Sequence, residues 1–492
     1  MSYLNKTTSH AVVLEEPLLF ERSHEGAYGF GLPELDVPKI ISKKYFAHNS
    51  RAKDARLPEL SESEVVRHFT RLSTWNYAID LGIYPLGSCT MKHNPRFNEE
   101  VARSAEICEL HPYDPIQWSQ AHLQIMYELQ EDLKEITGLK AVSLQPSAGA
   151  QGEFAGLLLI SAYHRNKGRN RRTILTADTS HGTNPASAAL AGFNIVQVKT
   201  GEDGYVTLES VEEVLNDDVA GMMLTNPNTL GLFEKNIAQI ARLLHEKDAL
   251  LYIDGANMNA VLGISRPGDF GADVIHFNLH KTFTTPHGGG GPGSGPIAVS
   301  EKLVPFLPVP LIEKKNNGYA LNYNSPKSIG RVKAFYGNFG MFIRAWCYIK
   351  ALGGKGLREV SENAILNANY IKSQLKDILN IPVNGHHLHE IIFNDLNLKE
   401  NGFDTSKLAK ALIDYGMHPP TVYFPLCVKN ALMVEPTETE SIEELDRFIN
   451  SVKEIIEQND SQTIFPKRTF REKVDEVKAA RELILKFKFK EE

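Results

Sequence analysis

NLHKTFTTPHGGGGPGSGP, residues 278–296, sets one lysine at the end of an apolar run, with a histidine before it and a second histidine and six glycines after it. Three chemistries use such a pattern: a phosphate-cradling loop, a hydrolase oxyanion loop, and a lysine that anchors a cofactor. Gly288, Gly290 and Gly293 fit G-x-G-x-x-G, but Pro292 lies inside the motif and no helical period follows it. A run of glycines satisfies such motifs by chance. The HGGGG run at 287–291 is similar to a lipase motif, yet the chain has no G-x-S-x-G nucleophile elbow. Lys281, in contrast, closes the apolar run DVIHFNL. Partial desolvation there frees an amine for Schiff-base formation. A lysine that only opens a surface loop is the ordinary alternative.

Outward from this stretch, RTILTAD, NIVQVK, VAGMMLTNP, ALLYIDG and DVIHFNL read as buried strands, with AVSLQP a shorter one before them. Helical periods lie between, in QGEFAGLLLISAYHR and NIAQIARLLHEK. Apolar strands alternating with helices predict an α/β domain with a parallel sheet covered on both faces. Ligands bind such sheets at the carboxyl ends of the strands.

Three more candidates fall at those ends. Asp254, 27 residues before Lys281, ends ALLYIDG and is the carboxylate a pyridoxal ring nitrogen needs. The small residues Ser147, Ala148, Gly149 and Ala150 open a helix whose free N–H groups suit a phosphate. His181 follows a further strand and offers a flat ring for stacking. Taken singly, each has an ordinary structural reading: a helix cap, a helix start, a turn histidine. No second carboxylate cluster in the sequence suggests a metal.

With 492 residues the chain has length for two or three domains, and its composition is that of a globular protein. A net charge of -7 excludes a basic nucleic-acid footprint. Cys89, Cys108, Cys347 and Cys427 form no C-x-x-C pair, which suggests a reducing compartment. No apolar run has membrane-spanning length. The stretch MSYLNKTTSHAVVLEEPLLFERS lacks a signal-peptide core, so a cytoplasmic location is expected. An N-terminal arm is expected over 1–121, with a helix in SESEVVRHFTRLSTWN. Its Trp75, Tyr84, Phe97 and Trp118 call for a neighbour to bury them. A large domain over 122–344 and a small α+β domain over 345–492 follow, the latter ending in a charged amphipathic helix.

These motifs, together with PLGSCTMK (85–92), AGAQGEFAGL (148–157), HGTNPASA (181–188), LTNPNTLGLFE (224–234) and LMVEPTE (432–438), span most of the chain. On them the sequence resembles the P-protein family of the glycine cleavage system, in its separate cofactor-bearing subunit form. The resemblance implies a fold-type I transferase fold that uses pyridoxal 5'-phosphate. It implies that Lys281 carries the cofactor, Asp254 pairs with the ring nitrogen, His181 stacks on one ring face and Ala256 packs on the other. It assigns the phosphate to Ser147–Ala150 with Thr282, adds Asn226 to the cofactor contacts, and places Ser88, Lys92, His287 and Gly288 on the substrate side. The implied reaction is loss of CO2 from glycine, with transfer of the aminomethyl group to the lipoyl disulfide of a carrier. The implied partners are subunit 1, in two copies of each chain, and a lipoylated H-protein. Aminomethyltransferase and dihydrolipoyl dehydrogenase are implied indirectly; no nucleic acid or membrane is expected. Asn257, Thr284, Ser294, Arg331, Lys333 and Asn338 depart from the family pattern. Rival readings are another fold-type I enzyme, such as an aminotransferase or other decarboxylase, a silent structural subunit, and a nucleotide-dependent oxidoreductase.

Overall fold

The computed structural model describes residues 15–40, 42–46, 48–53, 55–287, 289–398, 402–458, 463–469 and 474–489. The readings placed on residues 1–14, on Gly288 and on parts of the C-terminal tail lie outside them. By contacts the chain forms two compact units, residues 1–78 with 462–492, and residues 79–461.

In the first unit the helix expected in SESEVVRHFTRLSTWN runs Glu62–Ser73. Its N-terminus is a capping box: the Glu64 N–H donates to Ser61 Oγ and the Ser61 N–H to Glu64 Oε2, which satisfies two otherwise orphan donors. The charged tail differs from expectation. Among the described residues of the tail, its helix runs Glu476–Arg481.

The second unit is built on seven strands, β1 (Ala141–Ser143), β2 (Thr173–Ala177), β3 (Asn194–Val198), β4 (Val219–Thr225), β5 (Leu250–Gly255), β6 (Val274–Phe277) and β7 (Ile297–Val299). Their order is β1-β7-β6-β5-β4-β2-β3. The run from β6 to β3 is parallel, as expected. The sequence reading missed β7, which is only three residues long and antiparallel to both β6 and β1. The glycine-rich segment is therefore a reversal between adjacent strands. It leaves the carboxyl end of β6 and re-enters the sheet beside it.

Strand side chains alternate between two cores. Leu251, Ile253 and Ile275 face one, with the helices Gln120–Thr137 and Ile237–Glu246. Leu250, Tyr252 and Val274 face the other, under the helix Gly149–Asn166. The helix Ile237–Glu246 buries Ile237, Ile240, Ala241 and Leu244, a one-face period. Gln120–Thr137 ends at Gly138, whose φ of 67° is the left-handed cap that glycine adopts without strain. Gly152 lets its helix press onto the sheet. A Cβ there would meet the Gly295 carbonyl oxygen at 2.6 Å and His276 Cβ at 2.9 Å.

Beyond the sheet, a hairpin joins β8 (Leu311–Lys315) to β9 (Gly318–Asn322). A long helix, Phe339–Leu375, breaks at Gly353. A three-stranded antiparallel sheet follows, of β10 (Ile391–Asn394), β11 (Thr421–Val422) and β12 (Ala431–Val434), with the helix Ile442–Gln458 after it. An isolated bridge from Leu86 to Val434 ties the PLGSCTMK segment to β12. Among the described residues no helix is long and apolar enough to cross a membrane.

Candidate active site

Strand register assembles the acidic centre. Thr225 of β4 pairs with Asp254 of β5, and Asp254 with His276 of β6. Registered neighbours in a parallel sheet point to the same face, so the three side chains meet under the N-terminal half of the helix Gly149–Asn166. The Asp254 carboxylate accepts from the Ala256 N–H at 3.0 Å and the Asn184 amide at 2.9 Å. His276 Nε2 lies 3.4 Å from Asp254 Oδ1. Burial alone would raise the Asp254 pKa. His276, these two donors and His181 outweigh it and hold the carboxyl below its ordinary value, so it is a buried anion at neutral pH. Tyr252 orients His276: its hydroxyl meets His276 Nδ1 at 2.8 Å, which leaves Nε2 to face Asp254.

His181 lies beyond β2, on the segment that leads into the helix Thr183–Leu190. Its backbone N–H donates to Thr225 Oγ1 at 3.4 Å, and its Nδ1 lies 2.9 Å from Thr183 Oγ1. Burial lowers its pKa; Asp254 opposes this and Lys281 adds to it. The ring is thus neutral and flat at physiological pH.

Lys281 sits in the turn after β6 and is half-buried. Its ammonium donates to the Ser88 carbonyl at 2.9 Å. Ser88 has φ 63°, a strained conformation for a residue with a side chain. It is fastened on its other side, where its N–H donates to Glu390 Oε2 at 2.8 Å.

The N-terminus of the helix Gly149–Asn166 is open: its N-cap, Ala148, makes no side-chain capping bond among the described residues. Ala148 and Ala150 are exposed there. Asn278 packs against Gly149, where any Cβ would collide with its Oδ1. Asn338 bridges the same region, donating to the Ser147 carbonyl at 3.3 Å and the Gly293 carbonyl at 2.5 Å. The Ser147 N–H and hydroxyl are taken by Gln151 Oε1.

The residues fit pyridoxal 5'-phosphate. Thr282 Oγ1, Asn278 Oδ1 and Asn226 Nδ2 are buried without a hydrogen-bond partner among the described residues. Such atoms are costly unless a ligand completes them. An uncapped helix start suits a phosphate, and the ionised Asp254 suits a protonated ring nitrogen.

The substrate-side expectations fare unevenly. Ser88 touches Lys281 directly. Lys92 is committed elsewhere: its ammonium bonds Asn259 at 2.8 Å, Tyr348 at 3.1 Å and Glu438 at 2.7 Å, which uses all three donors. His287 stands edge-on to His280, ring centroids 5.4 Å apart, and its Nε2 has no partner among the described residues. Ala256 contributes its N–H to Asp254. Sequence reasoning missed Asn184, Thr225, Tyr252 and His276. A histidine inside the buried strand DVIHF was the available signal, because a buried polar side chain needs a partner.

Residues 360–479 match the family model described as glycine dehydrogenase, C-terminal domain, and residues 151–292 match that of aminotransferase class-V. The chain is 51% identical over 479 residues to a probable glycine dehydrogenase (decarboxylating) subunit 2 of Bacillus cytotoxicus, covering 96% of this chain and 98% of the relative. A relative of the same description from Oceanobacillus iheyensis is also 51% identical, over 477 residues, with the same coverage. Among solved structures, a glycine decarboxylase (P-protein) of the glycine cleavage system, in inhibitor-bound form, superposes with a TM-score of 0.71 at 22% identity. The match covers 84% of this chain and 94% of that one. A Lactobacillus brevis glutamate decarboxylase gives 0.65 at 13% identity, covering 86% and 98%. These two structures share the fold.

Proposed function

The chain belongs to the glycine dehydrogenase (decarboxylating) subunit 2 family, and on that premise we propose that it holds pyridoxal 5'-phosphate on Lys281 and removes the carboxyl group of glycine as CO2. One observation carries the residue assignment: an amine, a buried carboxylate anion and an open helix N-terminus converge at the carboxyl edge of one sheet. When bound, the cofactor supplies an electron sink for the pair of electrons left on the glycine α-carbon as CO2 departs. The remaining work falls to the chain. Asp254 keeps the ring-nitrogen proton in place, and the Tyr252–His276 pair keeps Asp254 oriented. His181 and Ala256 confine the ring, His181 as a neutral surface that does not compete for the proton. The first N–H groups of the helix Gly149–Asn166 and the Thr282 hydroxyl would hold the phosphate, and the Asn226 amide would bind the cofactor as well. The Ser88 carbonyl holds the Lys281 amine at a defined place. His287, at the start of the glycine-rich reversal, faces the substrate side.

The family is named as subunit 2, so the chain works with a subunit 1. Two copies of each chain are our expectation. Exposed aromatic surface supports a large partner: Trp118 is 67% exposed and Tyr113 55%, and permanent interfaces bury such residues. We assign the aminomethyl group to the lipoyl disulfide of a carrier H-protein. In that transfer the S–S bond breaks, one sulfur takes the aminomethyl group and the other leaves as a thiol. The disulfide is the oxidant, and no nicotinamide is needed. Aminomethyltransferase and dihydrolipoyl dehydrogenase would then consume the carrier product. The test is borohydride reduction of the cofactor-loaded protein followed by peptide mapping, with glycine–bicarbonate exchange measured beside it. Label on Lys281 and glycine-dependent exchange are expected; label on another lysine refutes the assignment.

A further inference from the structure

Ser88 links Lys281 to Glu390, one of three buried titratable side chains that the reaction above leaves unused: His389, Glu390 and Glu435. They are 0%, 0% and 1% exposed, and they bring ligand atoms within 4.8 Å of one another. Each carboxyl is anchored by one oxygen only. Glu390 Oε2 accepts the Ser88 N–H at 2.8 Å, and Glu435 Oε1 accepts the Thr90 hydroxyl. The other oxygens, Glu390 Oε1 and Glu435 Oε2, and both ring nitrogens of His389, have no hydrogen-bond partner among the described residues.

We propose that Glu390 and Glu435 share a proton and act through Lys281 as a store that keeps this end of the site neutral in either charge state of the lysine amine. Charge balance requires it. Two carboxylates against the single Lys281 ammonium would leave one negative charge uncompensated in a dry interior, which costs several kcal/mol or is removed by protonation. Lys92 also acts on Glu435, but its ammonium is bonded to Glu438. Cys89, on the same segment, is held as a neutral thiol by burial, with Glu435 adding to the effect and Lys281 opposing it. Burial, then Lys281, depresses His389 to about 3, so it brings no charge. What remains is one ammonium and two carboxyls with one proton between them.

The surroundings agree. Burial, then the neighbouring Glu435, pushes Glu390 well above the carboxylate range, against the Ser88 N–H and Lys281. Burial pushes Glu435 up to about 7, with Glu438 adding to the rise and the Thr90 hydroxyl, Lys281 and Lys92 opposing it. When Lys281 gives up a proton, an N–H bond breaks and an O–H bond forms on the pair. One ammonium and a singly protonated pair become one amine and two carboxylic acids, with net charge zero on both sides. The reverse step recharges the amine. Two carboxyls and an imidazole could also hold a cation. The proton is favoured because Lys281 already supplies one of the two positive charges that neutrality needs.

This inference rests on the reading of Lys281 given above, and the borohydride mapping tests that reading separately. The experiment is infrared difference spectroscopy of the cofactor-free full chain, with its partner subunit, against the double variant Glu390→Gln/Glu435→Gln from about pH 5.5 to about pH 8.5. The wild type should show carboxylic-acid carbonyl signal at and above neutral pH that the double variant lacks, and part of it should titrate near neutrality. By the same charge count each single glutamine variant should leave one carboxylate against the Lys281 ammonium, so the acid signal is lost near neutrality and the pH profile of glycine–bicarbonate exchange shifts, and Glu435→Asp should restore both. A difference spectrum without carboxylic-acid signal above pH ~7 overturns the proposal. So does stoichiometric binding of K+, Mg2+ or Mn2+ that removes the signal, which would make this a cation site.

Discussion

Replacing Asp254 by asparagine keeps the shape of the side chain and removes its charge. The carboxylate now accepts from the Ala256 N–H at 3.0 Å and the Asn184 amide at 2.9 Å, with His276 Nε2 at 3.4 Å. An asparagine can keep the Ala256 bond, but its NH2 then faces the Asn184 donor. Two facing donors in a buried site cost about 1–3 kcal/mol of stability, which lowers the melting midpoint by a few degrees without unfolding the protein. The larger effect is on chemistry. Were the cofactor's ring nitrogen held about 4 Å from this carboxylate, the two would attract by about 4 kcal/mol at an effective dielectric constant of about 20. Loss of that attraction in the transition state slows turnover by about a thousandfold. The assay is glycine–bicarbonate exchange at saturating cofactor, with cofactor occupancy measured by absorbance. The expected result is near-normal occupancy, little change in the glycine KM, and a turnover number about three decades down. If turnover falls less than tenfold at normal occupancy, Asp254 does not serve the ring nitrogen and its central role is refuted.

Lys281→Ala should abolish borohydride-fixed cofactor and exchange activity. It should cost only about 1 kcal/mol of stability, since the half-buried side chain is held by its hydrogen bond to Ser88; an unchanged absorption band would count against it. Gly152→Ala drives a methyl group toward the Gly295 carbonyl and His276, so the helix must lift from the sheet. About 1–3 kcal/mol of destabilisation and weaker cofactor binding are expected by denaturation and titration, and a neutral result would mean that the close approach is not required. Glu440 is raised to about 7, by burial first and then by Glu444 and Glu438. Its folded-state pKa lies above the ordinary 4.5, so the stability it permits is present at low pH and lost as pH rises through about 7. Glu440→Gln should therefore raise the melting midpoint by about 2–4 °C at pH 8 and leave it unchanged at pH 4; equal shifts at both pH values would exclude this cause.

Much of the proposed site could be put forward from the sequence because its residues follow strand ends, and strand ends can be read from apolar runs. Lys281, Asp254, His181 and the Ser147–Ala150 segment each come just after such a run, and the sheet edge brings them to one side. The supporting groups were not legible in the same way. Asn184 is 70 residues from Asp254 in the chain and Glu390 is 302 from Ser88. No local pattern announces a pairing over that distance. β7 escaped because its three residues follow directly on a proline- and glycine-rich segment and carry no alternation of their own. The tail was read as one helix from its amphipathic pattern, but Phe487 and Phe489 pack on Phe20 outside any helix, a long-range contact that no local pattern announces.

What the amino-acid order determined alone is what depends on near neighbours: the main strands and helices, and the lysine set at the end of an apolar run. What only the tertiary structure decided is which polar atoms find each other. Lys92 and Lys281 look equally free in the sequence. In the fold one is bonded three times over, to Asn259, Tyr348 and Glu438, and the other is held by the Ser88 carbonyl. Glu390 and Glu435 look like ordinary charged residues until strand pairing between β10 and β12 encloses both segments in the same interior. The physical reason is range. Backbone preference acts over a few residues, whereas desolvation and charge pairing act through space, between groups that only the folded chain makes neighbours.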